Sequence, residues 1–329
     1  MNIIKILTFI ITIGNLYGEE NQKVTIAFGS CNHQNKEQIL WDDIISEDPN
    51  LWIWLGDNIY ADTNDMDLMN KYYQLQKLNS EYKKLLKDTK VIGTWDDHDY
   101  GENDIGKKYK YKNESQQLFL DFLDIEDDDP RRNQEGVYHT YIINENDISI
   151  KIFILDTRYF RDDIKRNCFF GYKENKDGTI LGKAQWEWLE KELEKSESEI
   201  NIIVSSIQVI PTQHKFEKWA NFPNERTKLF NIIKENNRKN TFIISGDRHI
   251  GEISKITYEG IDLYEVTSSG LTNKWRIKKN DPNQFRLNSI VYELNYGTID
   301  IYKNNDKLIL ELNIKSNNGI KKSSIQLIN

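Results

Sequence analysis

Cysteine is scarce in this sequence: Cys31 and Cys168 are the only two in 329 residues. A fold held by a disulfide framework is excluded, because such scaffolds need several bridges to stand in for a core. Prolines number five, and no proline- or serine-rich stretch or internal repeat interrupts the chain, so nothing marks a linker between domains. Positive charge is in deficit: 44 Lys and Arg against 52 Asp and Glu give a formal net charge of -8. The basic stretches 107–112 and 276–279 are interleaved with polar residues. Polyanion binding through bulk charge is disfavoured, and no sequence-specific nucleic-acid binding is expected. Long apolar runs are also missing beyond the first residues, so no later segment reads as a membrane span.

The first residues do carry a pattern. Met1-Asn2-Ile3-Ile4-Lys5 leads into an apolar run over 6–13 and then Gly14-Asn15-Leu16-Tyr17-Gly18 ahead of Glu19-Glu20. A positive start, a short apolar segment and a small residue are the three parts of a secretory signal peptide. The expectation is a signal peptide over 1–18, a secreted or periplasmic protein, and a single domain over 19–329. An uncleaved membrane anchor is the competing location, disfavoured because the run is short for a span.

Apolar runs at 24–28, 51–55, 91–95, 150–155, 202–206 and 241–245 read as strands, and most are continuous, which implies cover on both faces. Segments 37–45, 116–123, 183–193 and 224–233 place apolar residues at three- and four-residue spacing, the helical period. After about residue 260 the texture turns to short strands, with 297–302 and 308–312 reading as a closing β-hairpin around Asn304-Asn305-Asp306. The fold class is α/β.

Four of these strands run directly into ligand-type residues: Gly29-Ser30-Cys31-Asn32-His33, Gly56-Asp57-Asn58-Ile59-Tyr60, Asp96-Asp97-His98-Asp99 and Gly246-Asp247-Arg248-His249. Loops at strand ends are where layered α/β proteins build sites, and a glycine ahead of Asp57 and of Asp247 permits a sharp turn. Singly, each feature has a plain reading: Gly-Asp as a turn, the acidic run 96–104 as a solvated loop, Cys31 as a small buried apolar residue, His249 as a satisfied polar group. Recurrence after four strands favours convergence. Gathered carboxylates repel and raise one another's pKa unless cations sit among them. Two ions about 3.5–4 Å apart can share a carboxylate and clamp a phosphoryl group, and Asp57 is the best bridging candidate.

The motifs Gly29-Ser30-Cys31, Leu55-Gly56-Asp57-Asn58-Ile59-Tyr60, Thr94-Trp95-Asp96-Asp97-His98-Asp99, Leu155-Asp156-Thr157-Arg158-Tyr159-Phe160-Arg161, Ser205-Ser206-Ile207-Gln208 and Ser245-Gly246-Asp247-Arg248-His249 resemble, in order, those of the PhoD-like alkaline phosphatases and phosphodiesterases of the calcineurin-like metallophosphoesterase superfamily. Thr267-Ser268-Ser269-Gly270-Leu271 is similar to a further family segment. The resemblance implies a four-layer α-β-β-α sandwich of two mixed sheets flanked by helices. It implies metal ligands Cys31, Asp57, Tyr60, Asp97, Asp247 and His249, with Asp96, Asn58 and Gln208 as supporting or additional ligands. The wider superfamily normally offers Asp and His in the first motif, Asn and His in the third and two histidines in the last; Cys31, Asp97 with His98, and Asp247 with His249 stand in those places and mark the PhoD-like variant. Longer members carry a separate N-terminal domain ahead of the first motif, and the resemblance does not extend to one.

That variant implies calcium and iron, with zinc or manganese as the other divalent options. Thiolate and phenolate are strongly donating ligands suited to iron, while an all-oxygen set suits calcium. The expected reaction is hydrolysis of a phosphodiester or phosphomonoester by a metal-bound hydroxide, with His98 steadying or protonating the leaving oxygen and Arg158 and Arg161 binding phosphate oxygens. For Arg161, structural pairing with Asp156 or Asp162 is the alternative. A Cys31–Cys168 disulfide competes with metal binding in an exported protein. Trp219 and Trp275, on expected loops, could stack on a sugar or base, against the commoner fate of core packing. The alternative function is a non-catalytic secreted phosphate- or calcium-binding protein on the same fold, which would be expected to have lost some ligands.

Overall fold

The computed structural model describes residues 23–167, 171–236, 240–275, 281–305 and 307–328. The expected signal peptide, Cys168 and the basic stretch 276–279 lie outside them. The chain begins with β1 (Val24–Gly29), α1 (Trp41–Ser46), β2 (Leu51–Leu55), α2 (Met66–Lys77), α3 (Ser80–Asp88) and β3 (Lys90–Thr94). Next come α4 (Asp97–Tyr100), α5 (Lys112–Phe122), β4 (His139–Glu145), β5 (Ile148–Ile154), β6 (Lys165–Asn167), β7 (Gly171–Lys173), α6 (Gly182–Glu194) and β8 (Ile200–Ser205). It continues with α7 (Pro223–Glu235), β9 (Thr241–Ser245), β10 (Gly251–Tyr258), β11 (Ile261–Ser268), β12 (Tyr296–Asn304), β13 (Lys307–Ser316) and β14 (Ile320–Ile328).

Two six-stranded sheets result, ordered β14-β13-β12-β1-β2-β3 and β10-β11-β9-β8-β5-β4. Both are mixed: β1-β2-β3 and β5-β8-β9-β11 are parallel, and the flanking strands are antiparallel. The period-two alternation of the strands explains their continuous apolar runs. Val24, Ile26 and Phe28 of β1, with Leu51, Ile53 and Leu55 of β2, meet Ile150, Ile152, Ile154, Ile202 and Val204 between the sheets. Trp52 and Trp54 point the other way, under α1, α2, α3 and α5, while Phe153, Ile203 and Ile243 lie under α6 and α7. The layers are α-β-β-α, as expected.

Trp54 donates its indole N–H to Tyr82 at 3.0 Å and meets Trp41 edge-on at 5.5 Å between ring centroids. Gly93 lies opposite it in register on β3, and a Cβ there would stand 2.5 Å from the Cβ of Trp54 and 2.6 Å from its backbone oxygen. Gly93→Ala is expected to cost about 1–3 kcal/mol, the usual range for overpacking a tight core, read as a lower urea midpoint at unchanged slope.

Four expectations need correction. The helix expected over 37–45 forms only from Trp41, because Gln38 turns inward to hydrogen-bond Gln76 and to accept from Trp41 Nε1. Helices α2 and α3 escape a reading by apolar spacing because each buries only two or three positions, Met69, Tyr73 and the polar Gln76 in one and Tyr82 and Leu85 in the other. The closing hairpin is β12–β13, but β14 pairs with β13 beyond it. Trp219 is fully buried, donates to Ser205 Oγ at 3.0 Å and offers no surface for stacking.

Candidate metal centre

The parallel strands β1, β2 and β3 of one sheet and β9 of the other end at one edge of the sandwich, and four loops leave them there. Gly56 follows β2 with φ +97, and a Cβ on it would fall 2.5 Å from that of Asp96, so only glycine lets the second and third loops touch. Gly246 has a different role from the expected sharp turn: its φ lies outside the left-handed region, and it lets the backbone approach Ser30 Oγ and Leu55 O, which an added Cβ would meet at 2.6 and 2.8 Å. The first loop is tied to the second by Asn32 N–H donating to Asp57 O at 2.8 Å.

The side chains that result form three overlapping sets whose donor atoms lie within 4.8 Å of one another: Cys31, Asp57 and His249; Asp57, Asp97 and His98; Asp96, Asp97 and Asp247. Asp57 belongs to two sets and Asp97 to two, so the sets form a chain rather than one knot. Tyr60 joins at the first, its hydroxyl donating to Asp57 Oδ2 at 3.1 Å and lying 3.0 Å from His249 Nε2. Cys31 Sγ is 3.5 Å from the same Asp57 oxygen, and Cys31 is a free buried thiol. Cys31, Asp57, Asp247 and His249 all have left-handed backbone, at φ 59, 49, 71 and 57. Such conformations gather at functional positions, where the surroundings enforce them.

Burial, reinforced by neighbouring carboxylates, pushes the carboxyls of Asp57 and Asp247 far above the usual range, and burial followed by Asp57 raises the Cys31 thiol. Protein atoms alone therefore do not stabilise the charged forms. Asp57 Oδ1 and Asp96 Oδ2 are buried acceptors without a hydrogen-bond partner, a costly condition that a bound cation relieves. With thiolate, phenolate, imidazole and carboxylate oxygens on the rim, the residues fit a metal centre. A cleft of about 300 Å³ lies over them, lined by Asp57, Asp97, His98, Asp247 and His249 among others.

His98 stacks on Tyr60 at 4.3 Å, and its Nδ1 is held by the Asp62 carboxylate at 2.7 Å. Asn58 directs its amide nitrogen to Asp99 and Thr94, leaving Oδ1 unpaired. Gln208 likewise directs its amide nitrogen to Glu252 and Thr267, leaving Oε1 buried and unpaired.

The arginines depart from expectation. Both side chains are fully enclosed, so neither presents a fork to a phosphate from solvent. Arg158 binds Asp96 through Nε at 2.6 Å and Glu217 through Nη1 at 2.8 Å, with Asp97 at 3.8 Å from Nη2. Arg161 binds Glu217 through Nε at 3.0 Å and donates to the backbone oxygens of Asp162 and Asp104. Its carboxylate partner is thus Glu217, neither Asp156 nor Asp162. Buried charge must be compensated, and the carboxylates behind the centre do so.

Two further residues hold the site together. Asp99 accepts hydrogen bonds from the backbone N–H groups of Asp57, Asn58 and Asp96 and from the Asn58 side chain, pinning the second loop to the third. Its place three residues after Asp96, where a capping carboxylate falls, is a signal the sequence carries. Glu217 stands in a loop with no pattern around it.

The layered sandwich with its donors at the strand ends is a metallophosphoesterase-like fold. The chain belongs to the PhoD-like phosphatase family, whose model matches residues 26–284. It is 23% identical over 297 residues to alkaline phosphatase D of Bacillus subtilis (strain 168), a match covering 77% of this chain and 49% of that protein, so it spans about half the relative's length. The solved structure of PhoD superposes with a TM-score of 0.73 at 18% identity, covering 93% of this chain and 68% of that one. A dimetal phosphatase from Danio rerio gives a TM-score of 0.50 at 11% identity, with 92% and 98% covered. Both agree on the fold. Among the described residues no helix is long and apolar enough to cross a membrane.

Proposed function

We propose that this chain is an exported, metal-dependent hydrolase of phosphate esters. The observation that carries the reading is the chain of three donor sets linked through Asp57 and Asp97 beneath an open cleft. Cys31, Tyr60, Asp57 and His249 would hold iron, while Asp97 and Asp247, with Asp57 or Asp96, would hold calcium. Such ions supply Lewis-acid polarisation of a phosphoryl oxygen and ionise water near neutral pH.

The protein's own groups do the rest. Asp62 fixes His98 through Nδ1, leaving Nε2 as the nitrogen that hands a proton to the leaving oxygen. Arg158 acts from behind, setting the angle of Asp96 and stabilising Asp97; burial opposes the Asp97 carboxylate, but Arg158 and then His98 hold its carboxyl below the ordinary value.

The test is hydrolysis of bis(p-nitrophenyl) phosphate and p-nitrophenyl phosphate by protein purified without chelator, with and without added calcium. Turnover is expected to fall by about 100-fold or more on chelation and to return with metal, and the rate ratio ranks diester against monoester. No turnover in metal-replete protein would transfer the assignment to the binding protein on the same fold. Elemental analysis finding neither iron nor calcium in active protein would overturn the metal assignment.

A further inference from the structure

A second cavity, of about 350 Å³, adjoins the metal cleft, and Phe216 and Trp275 line both. Ligand pockets begin at about this size. Among the described lining residues, Trp275 donates its indole N–H to Arg248 O at 2.9 Å, and its ring lies 5.8 Å from that of His249 and 5.4 Å from that of Phe216. The Arg248 guanidinium covers Phe216 at 4.3 Å and is tied to Asp281. The aromatic pair therefore stands between a candidate metal ligand and the cavity.

His214 lines the same cavity at 4% exposure. Neither of its ring nitrogens has a hydrogen-bond partner. Burial, then the cations Arg248, Lys218 and Arg286, keep its pKa well below the ordinary value, so the ring is neutral, with one donor and one acceptor nitrogen. A buried polar group left wholly unpaired is expensive and calls for a partner. Nothing in the metal chemistry uses this residue.

We propose that this cavity is the subsite for one alcohol portion of a phosphodiester, a nucleoside or a glycosyl group, whose ring lies against Phe216 and Trp275 and whose hydroxyl or amide pairs with His214. The proposal rests on the phosphoesterase reading and narrows it. A phosphodiester carries a second alcohol that must go somewhere once its phosphorus sits over the metal centre, and this cavity lies beside that cleft, sharing Phe216 and Trp275 with it. A monoester needs no such space.

The experiment compares three methyl diesters with the same leaving group in the metal-loaded protein: dimethyl phosphate, thymidine 5'-methyl phosphate and methyl glucoside 6-(methyl phosphate), followed by phosphorus NMR. One of the ring-bearing esters is expected to show kcat/KM at least about 10-fold above dimethyl phosphate, and His214→Phe to remove that preference, as expected where a site loses its hydrogen bond to substrate. His214→Asn, which keeps one donor and one acceptor, should retain it, and the urea midpoint checks that each variant folds. The preferred ester distinguishes nucleoside from glycosyl. Equal rates for all three esters, or a preference that survives in His214→Phe, would overturn the subsite. If no phosphate ester is hydrolysed at all, the phosphoesterase reading fails separately; calorimetric titration with thymidine and with methyl glucoside then decides, binding lost in His214→Phe supporting the subsite and no binding by either overturning it.

Discussion

Asp57→Asn is expected to lower kcat/KM for bis(p-nitrophenyl) phosphate by more than about 100-fold, beyond the 10- to 100-fold loss typical of groups that only orient a ligand. The substitution keeps the shape of the side chain and removes its charge. Asp57 is shared by two donor sets, so both are weakened at once, and metal content should fall in parallel. Stability should respond in the opposite sense once metal is gone. In the bare protein the Asp57 carboxylate is opposed first by burial and is further raised by Asp97, Asp96 and Asp99, so replacing it with a neutral amide relieves repulsion. Chelated Asp57→Asn should be at least as stable as the chelated parent, while the metal-loaded parent should exceed both. Activity and metal content, with urea midpoints in both states, check the two halves separately. A variant that retains wild-type activity and metal would remove Asp57 from the centre.

Glu217→Ala is the substitution expected to cost most in stability, about 3–5 kcal/mol, because it breaks a buried ion pair by removing one side. Glu217 is 2% exposed and takes both Arg158 and Arg161. Without it two enclosed guanidinium groups keep only Asp96, distant Asp97 and backbone oxygens. Activity should fall too, since Arg158 also holds Asp96. The double replacement Glu217→Ala with Arg161→Met should recover part of the loss, because a buried charge and its partner are then removed together. A single variant within about 0.5 kcal/mol of wild type, the range of ordinary surface changes, would show that the pairing does not matter.

What the sequence reveals follows from what local pattern can encode. Strands covered on both faces declare themselves as apolar runs, and the six read from the sequence are β1, β2, β3, β5, β8 and β9 within one or two residues at most ends. Ligand-type residues declare themselves by falling directly after those runs, and Cys31, Asp57, Asp97, His98, Asp247 and His249 do converge. The strand β14 is silent, because most of its residues are polar or exposed and only pairing with β13 makes it a strand. Helices α2 and α3 owe their starts to Asp65 and Asn79, whose side chains accept from the first backbone N–H groups, a weaker signal than an apolar stripe. Guanidinium chemistry suits phosphate, so the sequence points Arg158 and Arg161 to that role. Which way a guanidinium faces is set by a tertiary partner, and Glu217 lies 59 residues from Arg158 in the chain.

The left-handed backbone at Cys31, Asp57, Asp247 and His249 has a consequence for how this protein changes over generations. Each such residue carries a conformational cost of order 1–3 kcal/mol that glycine would largely escape, less for Asp and His than for Cys. Selection for stability alone, in the absence of metal, would therefore draw these positions towards glycine and erase the donors one by one. A glycine at any of the four would ease the backbone and cost a donor, so at this edge folding and ligation pull the sequence in opposite directions.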